Sequence, residues 1–404
     1  MVSRSFLKAG HAPTLFASFL YFDLSFMVWV ILGPLGVAIA EDLRLDAAQK
    51  GLMVAVPLLS GALLRIVCGV LADHIGPKRA GVLAQSTVLA GLGLAWFFGV
   101  HSYSQVLVLG AVLGVAGASF AIALPLASRW YPPERQGLAL GIAGAGNSGT
   151  ALASLFAPSL AEAFGWNTVI GLAALPLLLA LAVYLALARD APGRPAPKRL
   201  ADYLAVLKSG DAWWLMFLYG VTFGGFSGLS ASLAIYFNAE YGLDPVVAGF
   251  FTAGCVFAGS MVRPVGGALA DRLGGVRTLT GAYAVAAAAL ALASFHLEAG
   301  AALAVLLAAM LALGAGNGAV FQLAPQRFPR EIGVVTGLVG AMGGVGGFYL
   351  ASTLGLARQL TGSYQPGLLG FAALALFALM ALAGLKARWR VGWTALRPAS
   401  AVRL

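Results

Sequence analysis

The 404-residue sequence is 60% hydrophobic and only 10% charged, and its mean hydropathy is +0.89. Soluble domains carry roughly 25% charged residues, so this composition excludes an ordinary soluble protein and predicts an integral membrane protein. The net charge of +10 would suit a nucleic-acid-binding protein, but in a membrane protein it usually arises from Lys and Arg gathered in loops on one side. We therefore expect the lipid bilayer as the surroundings of this chain, and no nucleic acid as a partner.

A membrane-spanning helix needs about 20 consecutive, mostly apolar residues. The sequence contains twelve such segments, which we number span 1 to span 12 in chain order. They lie near residues 12–40, 47–72, 79–99, 104–128, 136–163, 167–188, 211–237, 245–271, 277–297, 300–324, 331–358 and 364–386. The predicted fold is therefore an all-α polytopic membrane protein with twelve transmembrane helices and both ends on one side.

The loops assign the two sides of the membrane. With the N-terminus inside, twenty of the 25 Lys and Arg residues fall on the inner side, three fall outside and two lie within spans. Acidic residues divide evenly, seven and seven, with Asp23 left over in span 1. The bias is in the cations, as the positive-inside rule requires. We predict a monomer of the bacterial inner membrane, with both termini cytoplasmic.

The polar stretch 189–210 divides the chain into an N-terminal six-helix half, residues 1–188, and a C-terminal half, residues 211–386, followed by a cytoplasmic tail, residues 387–404. The first part of this linker is rich in Pro and Gly, which predicts a flexible cytoplasmic segment. The second part has Leu200, Tyr203, Leu204 and Leu207 at helical spacing, which predicts a short surface helix.

The two halves are repeats. Each carries one arginine inside an apolar run, and the distance from Arg65 to Arg263 is 198 residues, as is the distance from Asp73 to Asp271. An arginine near the middle of a membrane helix costs roughly 2.5–3.5 kcal/mol on insertion scales, so two at equal depth indicate a pair of cations facing one central cavity.

Guanidinium is flat, forked and permanently charged, which suits a flat oxyanion with several acceptor oxygens. The alternative is a structural arginine that snorkels or pairs with a carboxylate, and Asp23 is the only acid placed within a span. The pattern therefore favours a transporter of a small anion. No P-loop, metal-ligand spacing or catalytic constellation is present, so we expect no enzyme, no cofactor and no metal.

Each arginine is followed by a G-x-L-A-D-x-x-G segment, in residues 69–79 and 267–277. These segments resemble the loop 2–3 and loop 8–9 motif of the major facilitator superfamily, and the layout of twelve helices in two pseudo-symmetric halves is similar along the whole chain. The aspartate of such a turn can cap or pair with a neighbouring helix end and latch the cytoplasmic side; the alternative is a simple turn. The resemblance implies a cytoplasmic gate formed by Gly69, Asp73, Gly76, Gly267, Asp271, Arg272 and Gly274.

Two glycine-rich segments, GIAGAGNSG at 141–149 in span 5 and GLVGAMGGVGG at 337–347 in span 11, resemble the nitrate-signature motifs of the nitrate/nitrite porter family. Residues 114–121 and 314–328 are similar to that family's helices 4 and 10. Such glycines let helices slide and bring backbone close to a small ligand, although general small-residue packing would also explain them. The resemblance implies substrate contact by Asn147, whose amide can donate to an oxygen, and by Gly144, Gly146, Gly340, Gly343 and Gly344.

The resemblance also implies an aromatic lining. Phe26 in span 1, Phe120 in span 4, and Tyr219 and Phe223 in span 7 fall where the family places rings that sandwich the ligand and a tyrosine donor. Flat rings on both sides of a flat anion would exclude hydrated or tetrahedral competitors. The alternative for each ring is ordinary packing.

The function implied by this resemblance is transport of nitrate and nitrite by alternating access, as nitrate/proton symport or nitrate/nitrite antiport. Protons would then be a further partner, with Asp23 as the candidate coupling residue, although a counter-charge or a packing role fits Asp23 equally well. Two other functions are considered: exchange of another small anion such as a carboxylate, and a non-transporting anion sensor.

Overall fold

The computed structural model describes Phe6 and residues 8–192, 200–328 and 331–394, and within these ranges every regular element is helical. The α-helices in chain order are α1 (Ala12–Trp29), α2 (Gly36–Asp42), α3 (Ala47–Ile75), α4 (Pro77–Phe98), α5 (Tyr103–Gly117), α6 (Phe120–Ser128), α7 (Pro133–Gly144), α8 (Gly149–Phe164), α9 (Trp166–Leu172), α10 (Ala174–Leu187), α11 (Leu200–Leu207), α12 (Gly210–Tyr241), α13 (Pro245–Met261), α14 (Arg263–Leu273), α15 (Gly275–Ala293), α16 (Ala299–Arg327), α17 (Ile332–Thr361) and α18 (Gln365–Thr394).

These helices form the predicted spans, in two six-helix halves. Spans 1, 4, 6 and 8 are each built from two consecutive helices, and α11 lies between the halves in the chain. Eleven spans of the described residues contain a helix long and apolar enough to cross a membrane. Span 5 is divided as well: the 3₁₀ turn Ala145–Ser148 separates α7 from α8. The break falls within the glycine-rich segment, where the absence of side chains makes departure from α-helical geometry inexpensive.

The repeat is visible in the turns. Gly76 ends α3 with φ of +94°, and Gly274 ends α14 with φ of +96°. Backbone in this region clashes with a Cβ atom, so both turns require glycine. The loops between spans 2 and 3 and between spans 8 and 9 therefore have the same backbone geometry. We call the end of the bundle that carries these loops, with Lys78, Arg129 and Arg272, the basic end.

The two halves meet closely at the opposite end. A Cβ atom added to Gly355 in span 11 would lie 2.6 Å from the Cα of Gly51 in span 2. One added to Gly249 in span 8 would lie 2.5 Å from the carbonyl oxygen of Ser154 in span 5. The amide of Ala47 also donates to the side-chain oxygen of Gln359, at 3.1 Å. Backbone-to-backbone packing through glycine closes this end of the molecule.

The segments outside the membrane differ in part from expectation. The surface helix predicted in the linker is α11, but its buried residues are Tyr203 and Val206, whereas Leu204 is 55% exposed. Helix α18 continues to Thr394, beyond the predicted end of span 12 at 386, because Trp389 is buried and its indole Nε1 donates to Asp211 at 2.9 Å. Residues 193–199 and 395–404, in the predicted linker and tail, lie outside the described residues. The domain boundaries stay a prediction.

Candidate anion-binding site

Arg65 lies in the middle of α3 with only 2% of its surface exposed. Its Nε donates to the carbonyl oxygen of Gly117 in span 4 at 3.1 Å, and its Nη1 donates to the carbonyl oxygen of Gly340 in span 11. The remaining Nη2 is buried without a hydrogen-bond partner among the described residues. Buried donors are rarely left unpaired, since the lost hydration costs about 1–3 kcal/mol. The described residues thus leave one Arg65 donor without an acceptor, and Arg65 is not among the residues that line the cavity described below.

Four aromatic rings surround the Arg65 guanidinium. Its Cζ lies 5.9 Å from the ring centre of Phe26, 5.4 Å from Trp29, 5.4 Å from Phe120 and 5.2 Å from Phe223. These distances are in the range of cation–π interactions, which stabilise a desolvated cation without neutralising its charge. Three rings belong to the N-terminal half and Phe223 to the C-terminal half, so the cation lies where the halves meet.

Arg263 is the first residue of α14, in the other half. Its Nη2 donates to the phenol oxygen of Tyr219 at 3.3 Å, and its Nη1 is buried with no partner in the described part of the chain. Its Cζ lies 5.9 Å from the Phe120 ring and 5.6 Å from the Phe321 ring. Both arginines therefore lie beside the Phe120 ring.

Neither central arginine forms an ion pair with a carboxylate of the described residues. The ion pairs between described residues join Asp73 to Arg129, Asp211 to Arg327 and Arg388, and Glu240 to Arg358 and His296; none includes Arg65 or Arg263. The structural alternative, an arginine neutralised by a carboxylate, is therefore not what these residues form. The centre carries two cations with unpaired donors, an arrangement that attracts an anion.

Two of the rings stack on each other because of their spacing on α12. Tyr219 and Phe223 are four residues apart, on one face of the helix, and stack with centres 5.2 Å apart and planes 6° apart. Phe223 also lies nearly parallel to Trp29, at 6.5 Å and 11°, and Phe321 meets Tyr219 edge-on at 4.9 Å. The ring contacts thus extend across both halves, and Phe120 and Phe321 are the rings that line the cavity described below.

Glycines of span 11 let the backbone approach this set. A Cβ atom on Gly343 would lie 2.7 Å from Phe223 and 2.8 Å from Tyr219, and one on Gly344 would lie 2.7 Å from the carbonyl oxygen of Leu58 in span 2. Gly340 supplies the carbonyl that accepts from Arg65. A side chain at Gly343 would push α17 away from the rings of α12, and one at Gly344 would push it away from α3, the helix that carries Arg65.

The span 5 residues are less closely tied to the arginines. Gly144 borders the central cavity, whereas a Cβ atom on Gly146 would lie 2.5 Å from Phe22 of span 1. Asn147 is buried, and its side-chain oxygen has no partner within the described ranges. Among the hydrogen bonds of the described residues, none joins Asn147 to Arg65 or Arg263. Its role as a ligand stays a prediction.

Asp23 lies beside the same break. It is 6% exposed, and its Oδ1 accepts from the hydroxyl of Ser148 at 2.7 Å. A side chain at Gly149 would collide with the Asp23 carbonyl. Asp23 therefore joins span 1 to the 3₁₀ turn of span 5, and it is not among the residues that line the cavity. This contact is compatible with the packing role as well as with proton coupling.

A cavity of about 870 Å³ leads from this centre towards the basic end. Its inner wall includes Phe120, Arg263 and Phe321. Near the basic end it is bordered by Asp271, close to the end of α14, and by Ile332, the first residue of α17. The cavity thus opens towards the basic end, whereas glycine contacts join spans 2 and 11 and spans 5 and 8 at the opposite end.

Of the gate motif residues, Gly267 and Asp271 line this cavity. Asp73 forms an ion pair with Arg129 of span 4 at 3.0 Å, within one half. Asp271 borders the cavity, whereas Arg272 is exposed. The remaining motif glycines are Gly69 and Gly267, in α3 and α14, and Gly76 and Gly274, in the turns. These positions leave a gating role as a prediction.

Sequence reasoning missed two rings and one backbone group. Trp29 and Phe321 each face an arginine, and Gly117 supplies an acceptor for Arg65. The signals were present: Trp29 follows Phe26 by about one helical turn, and Phe321 stands inside the segment 314–328. Helix rotation decided which aromatics face inward.

Comparison with known proteins identifies the family of this chain. Residues 15–351 match the model of the Major Facilitator Superfamily. A protein of Mycobacterium tuberculosis named "Probable nitrate/nitrite transporter NarK2" is 37% identical over 366 residues, covering 88% of this chain and 91% of that protein. The "Nitrite extrusion protein" of Bacillus subtilis is 33% identical over 356 residues, covering 87% of this chain and 88% of the relative.

Solved structures agree in fold. A bacterial homologue of the human lysosomal transporter Spinster, in an inward-facing and occupied conformation, superposes with a TM-score of 0.68. The match covers 92% of this chain and 95% of that structure at 19% sequence identity. The chain is thus a membrane transport protein and not an enzyme. It belongs to the nitrate/nitrite porter family of the Major Facilitator Superfamily.

Proposed function

We propose that this protein moves nitrate and nitrite across the bacterial inner membrane by alternating access. One observation carries the proposal: Arg65 and Arg263 come from opposite halves, share the Phe120 ring, and each keep a buried Nη without a partner among the described residues. The printed names of the relatives, a nitrate/nitrite transporter and a nitrite extrusion protein, support the same substrates.

Electrostatics explain why an anion would bind here. A buried charge without compensation costs several kcal/mol, so two cations favour any small anion that can enter. Guanidinium donors suit a planar oxyanion, which offers several acceptors in one plane. Stacked rings such as Phe223 and Tyr219 would cover the faces of a flat ion and give few hydrogen bonds to a hydrated one.

An anion held by both halves would also couple binding to movement. Drawing Arg65 and Arg263 together would close the cavity at the basic end, while the glycine contact of Gly51 with Gly355 would separate at the other. We propose that the basic end faces the cytoplasm, since Lys and Arg collect in cytoplasmic loops. The structure would then be the inward-open state.

We propose nitrate/nitrite exchange as the transport cycle. Without an anion the carrier would have to reorient with the buried Arg65 and the partly buried Arg263 both uncompensated, which is unfavourable; with either anion the charge is partly balanced. Exchange of two monovalent anions is electrically neutral. Nitrate entry alone would be opposed by about 2.3 kcal/mol per 100 mV of negative-inside potential.

Nitrate/proton symport is the second candidate, favoured by the burial of Asp23 in span 1. Two protons moving with each nitrate would make entry favourable with respect to the potential. The two cycles differ in what drives them, so they can be separated by experiment.

The test uses purified protein in proteoliposomes. Nitrate uptake is measured with and without internal nitrite, and with and without a pH gradient. Arg65→Lys and Arg263→Lys should each nearly abolish uptake, because a point charge cannot reproduce the guanidinium fork. Arg358→Lys is the matched control, since Arg358 pairs with Glu240 at the opposite end. Wild-type nitrate affinity in both central Lys variants would refute the site.

A further inference from the structure

We propose that Trp29 is a positioning residue for the anion site: it orients the Arg65 guanidinium and joins it, through Phe223 and Tyr219, to Arg263. This inference rests on the proposed function, because it concerns how the same two arginines are held for the anion. Trp29 is the last residue of α1 and is 1% exposed.

The indole is fixed on three sides. Its Nε1 donates to the carbonyl oxygen of Pro57 in span 2 at 2.8 Å. A Cβ atom on Gly61 of the same helix would lie 2.9 Å from that nitrogen, and one on Gly117 in span 4 would overlap the indole. A large, flat side chain held by a hydrogen bond and by two glycine surfaces has little freedom to tilt. Trp29 thus connects spans 1, 2 and 4.

Both glycines are tied to Arg65. Gly61 precedes Arg65 by four residues, one turn along α3, and Gly117 provides the carbonyl that accepts from Arg65 Nε at 3.1 Å. The indole itself lies 5.4 Å from the guanidinium carbon. Trp29 therefore contacts the helix that carries Arg65, the backbone group that anchors it and the guanidinium itself.

The indole also packs against a ring of the other half. Trp29 and Phe223 are nearly parallel, with centres 6.5 Å apart and planes 11° apart, and Phe223 stacks on Tyr219 at 5.2 Å and 6°. Tyr219 accepts from Arg263 at 3.3 Å. The three rings form a continuous series of contacts, with Arg65 beside Trp29 and Phe223 and Arg263 hydrogen-bonded to Tyr219. A change in the tilt of Trp29 is transmitted to both cations, because close-packed rings cannot move independently.

This geometry predicts which property the indole controls. Without the indole, Arg65 keeps its charge but loses one of four aromatic contacts. The Gly117 carbonyl that accepts from Arg65 also loses its packing against Trp29, so the orientation of Nη2 is no longer fixed. Affinity for nitrate should fall, and discrimination between nitrate and nitrite should change because it depends on how the donors match the oxygens. General destabilisation would lower the amount of folded protein but would leave discrimination unchanged.

Two substitutions separate these effects. Trp29→Phe keeps an aromatic face and removes the indole N–H, whereas Trp29→Leu removes the aromatic face. Trp166→Phe is the matched control, because Trp166 is a buried tryptophan of the same half whose Nε1 donates to Asp42 at 3.0 Å. Nitrate and nitrite binding to the full-length protein in detergent would be measured together with the thermal midpoint.

We expect Trp29→Leu to weaken nitrate binding by about 10-fold, within the range of a desolvated cation–π contact, and Trp29→Phe to weaken it less. The nitrate-to-nitrite affinity ratio should shift in Trp29→Leu and stay at the wild-type value in Trp166→Phe. Wild-type affinity and an unchanged ratio in Trp29→Leu would overturn the inference. If Trp29→Leu fails to fold, nitrate affinity and the nitrate-to-nitrite affinity ratio of Trp29→Phe are compared with those of Trp166→Phe. Equal values in these two variants would then overturn the inference. Failure of the wild type itself to bind nitrate would instead overturn the proposed function, so the two failures are distinguishable.

Discussion

Replacing Gly343 with alanine should damage the anion site although it adds only one methyl group. The new carbon would lie 2.7 Å from Cδ1 of Phe223 and 2.8 Å from Cε1 of Tyr219, closer than carbon atoms can pack. Both atoms belong to rings that stack on each other, so neither ring can turn aside alone. Overpacking of this kind typically costs about 1–3 kcal/mol.

The cost should appear in binding as well as in stability. Tyr219 accepts from Arg263, so a shift of the rings moves the donor that the anion needs. If the whole cost fell on the bound state, nitrate affinity would fall by about 5- to 150-fold, since each 1.4 kcal/mol is a factor of ten. Titration of purified protein with nitrate measures the loss of binding free energy, and the thermal midpoint measured in parallel reports the loss of stability.

Gly254→Ala is the control for Gly343→Ala. Gly254 lies in α13, is exposed and does not line the cavity, and a Cβ atom there would meet nothing within 4 Å. It should bind nitrate like the wild type and be as stable or slightly more so, because alanine costs less backbone entropy in a helix than glycine. Equal affinity and equal thermal midpoint in the two alanine variants would refute the reasoning from close approach.

Three further outcomes are expected. Asp23→Asn should stop uptake driven by a pH gradient and spare nitrate/nitrite exchange in proteoliposomes; undiminished pH-driven uptake would leave Asp23 with a packing role. Asp73→Asn breaks the partly exposed ion pair with Arg129, so unfolding free energy should fall by less than about 1 kcal/mol while transport drops, and normal flux would argue against a gate. Gly355→Leu should lower both transport and thermal stability, because a side chain there would meet the backbone of Gly51 at 2.6 Å; an unchanged thermal midpoint would contradict the close contact at that end.

Much of the architecture could be predicted from the sequence because it depends on residues that are contiguous in the chain. Each span is a local apolar run, and the constant offset of 198 residues between Arg65 and Arg263 identifies the halves as repeats. The resemblance of the glycine-rich segments then implied the family that the comparisons confirm. The roles of individual site residues stay predictions.

Contacts between distant residues were decided only by the tertiary structure. Arg65 donates to the carbonyl of Gly340, 275 residues away, and such a contact depends on how two helices are rotated and crossed. The same reason explains why Trp29 and Phe321 were missed and why Gly343 is tight whereas Gly144 is open. Local sequence determined that these helices exist and which residues are apolar or cationic. Which side chains face one another was determined by packing between halves, because helix rotation is set by the summed contacts of all neighbours and not by any one segment.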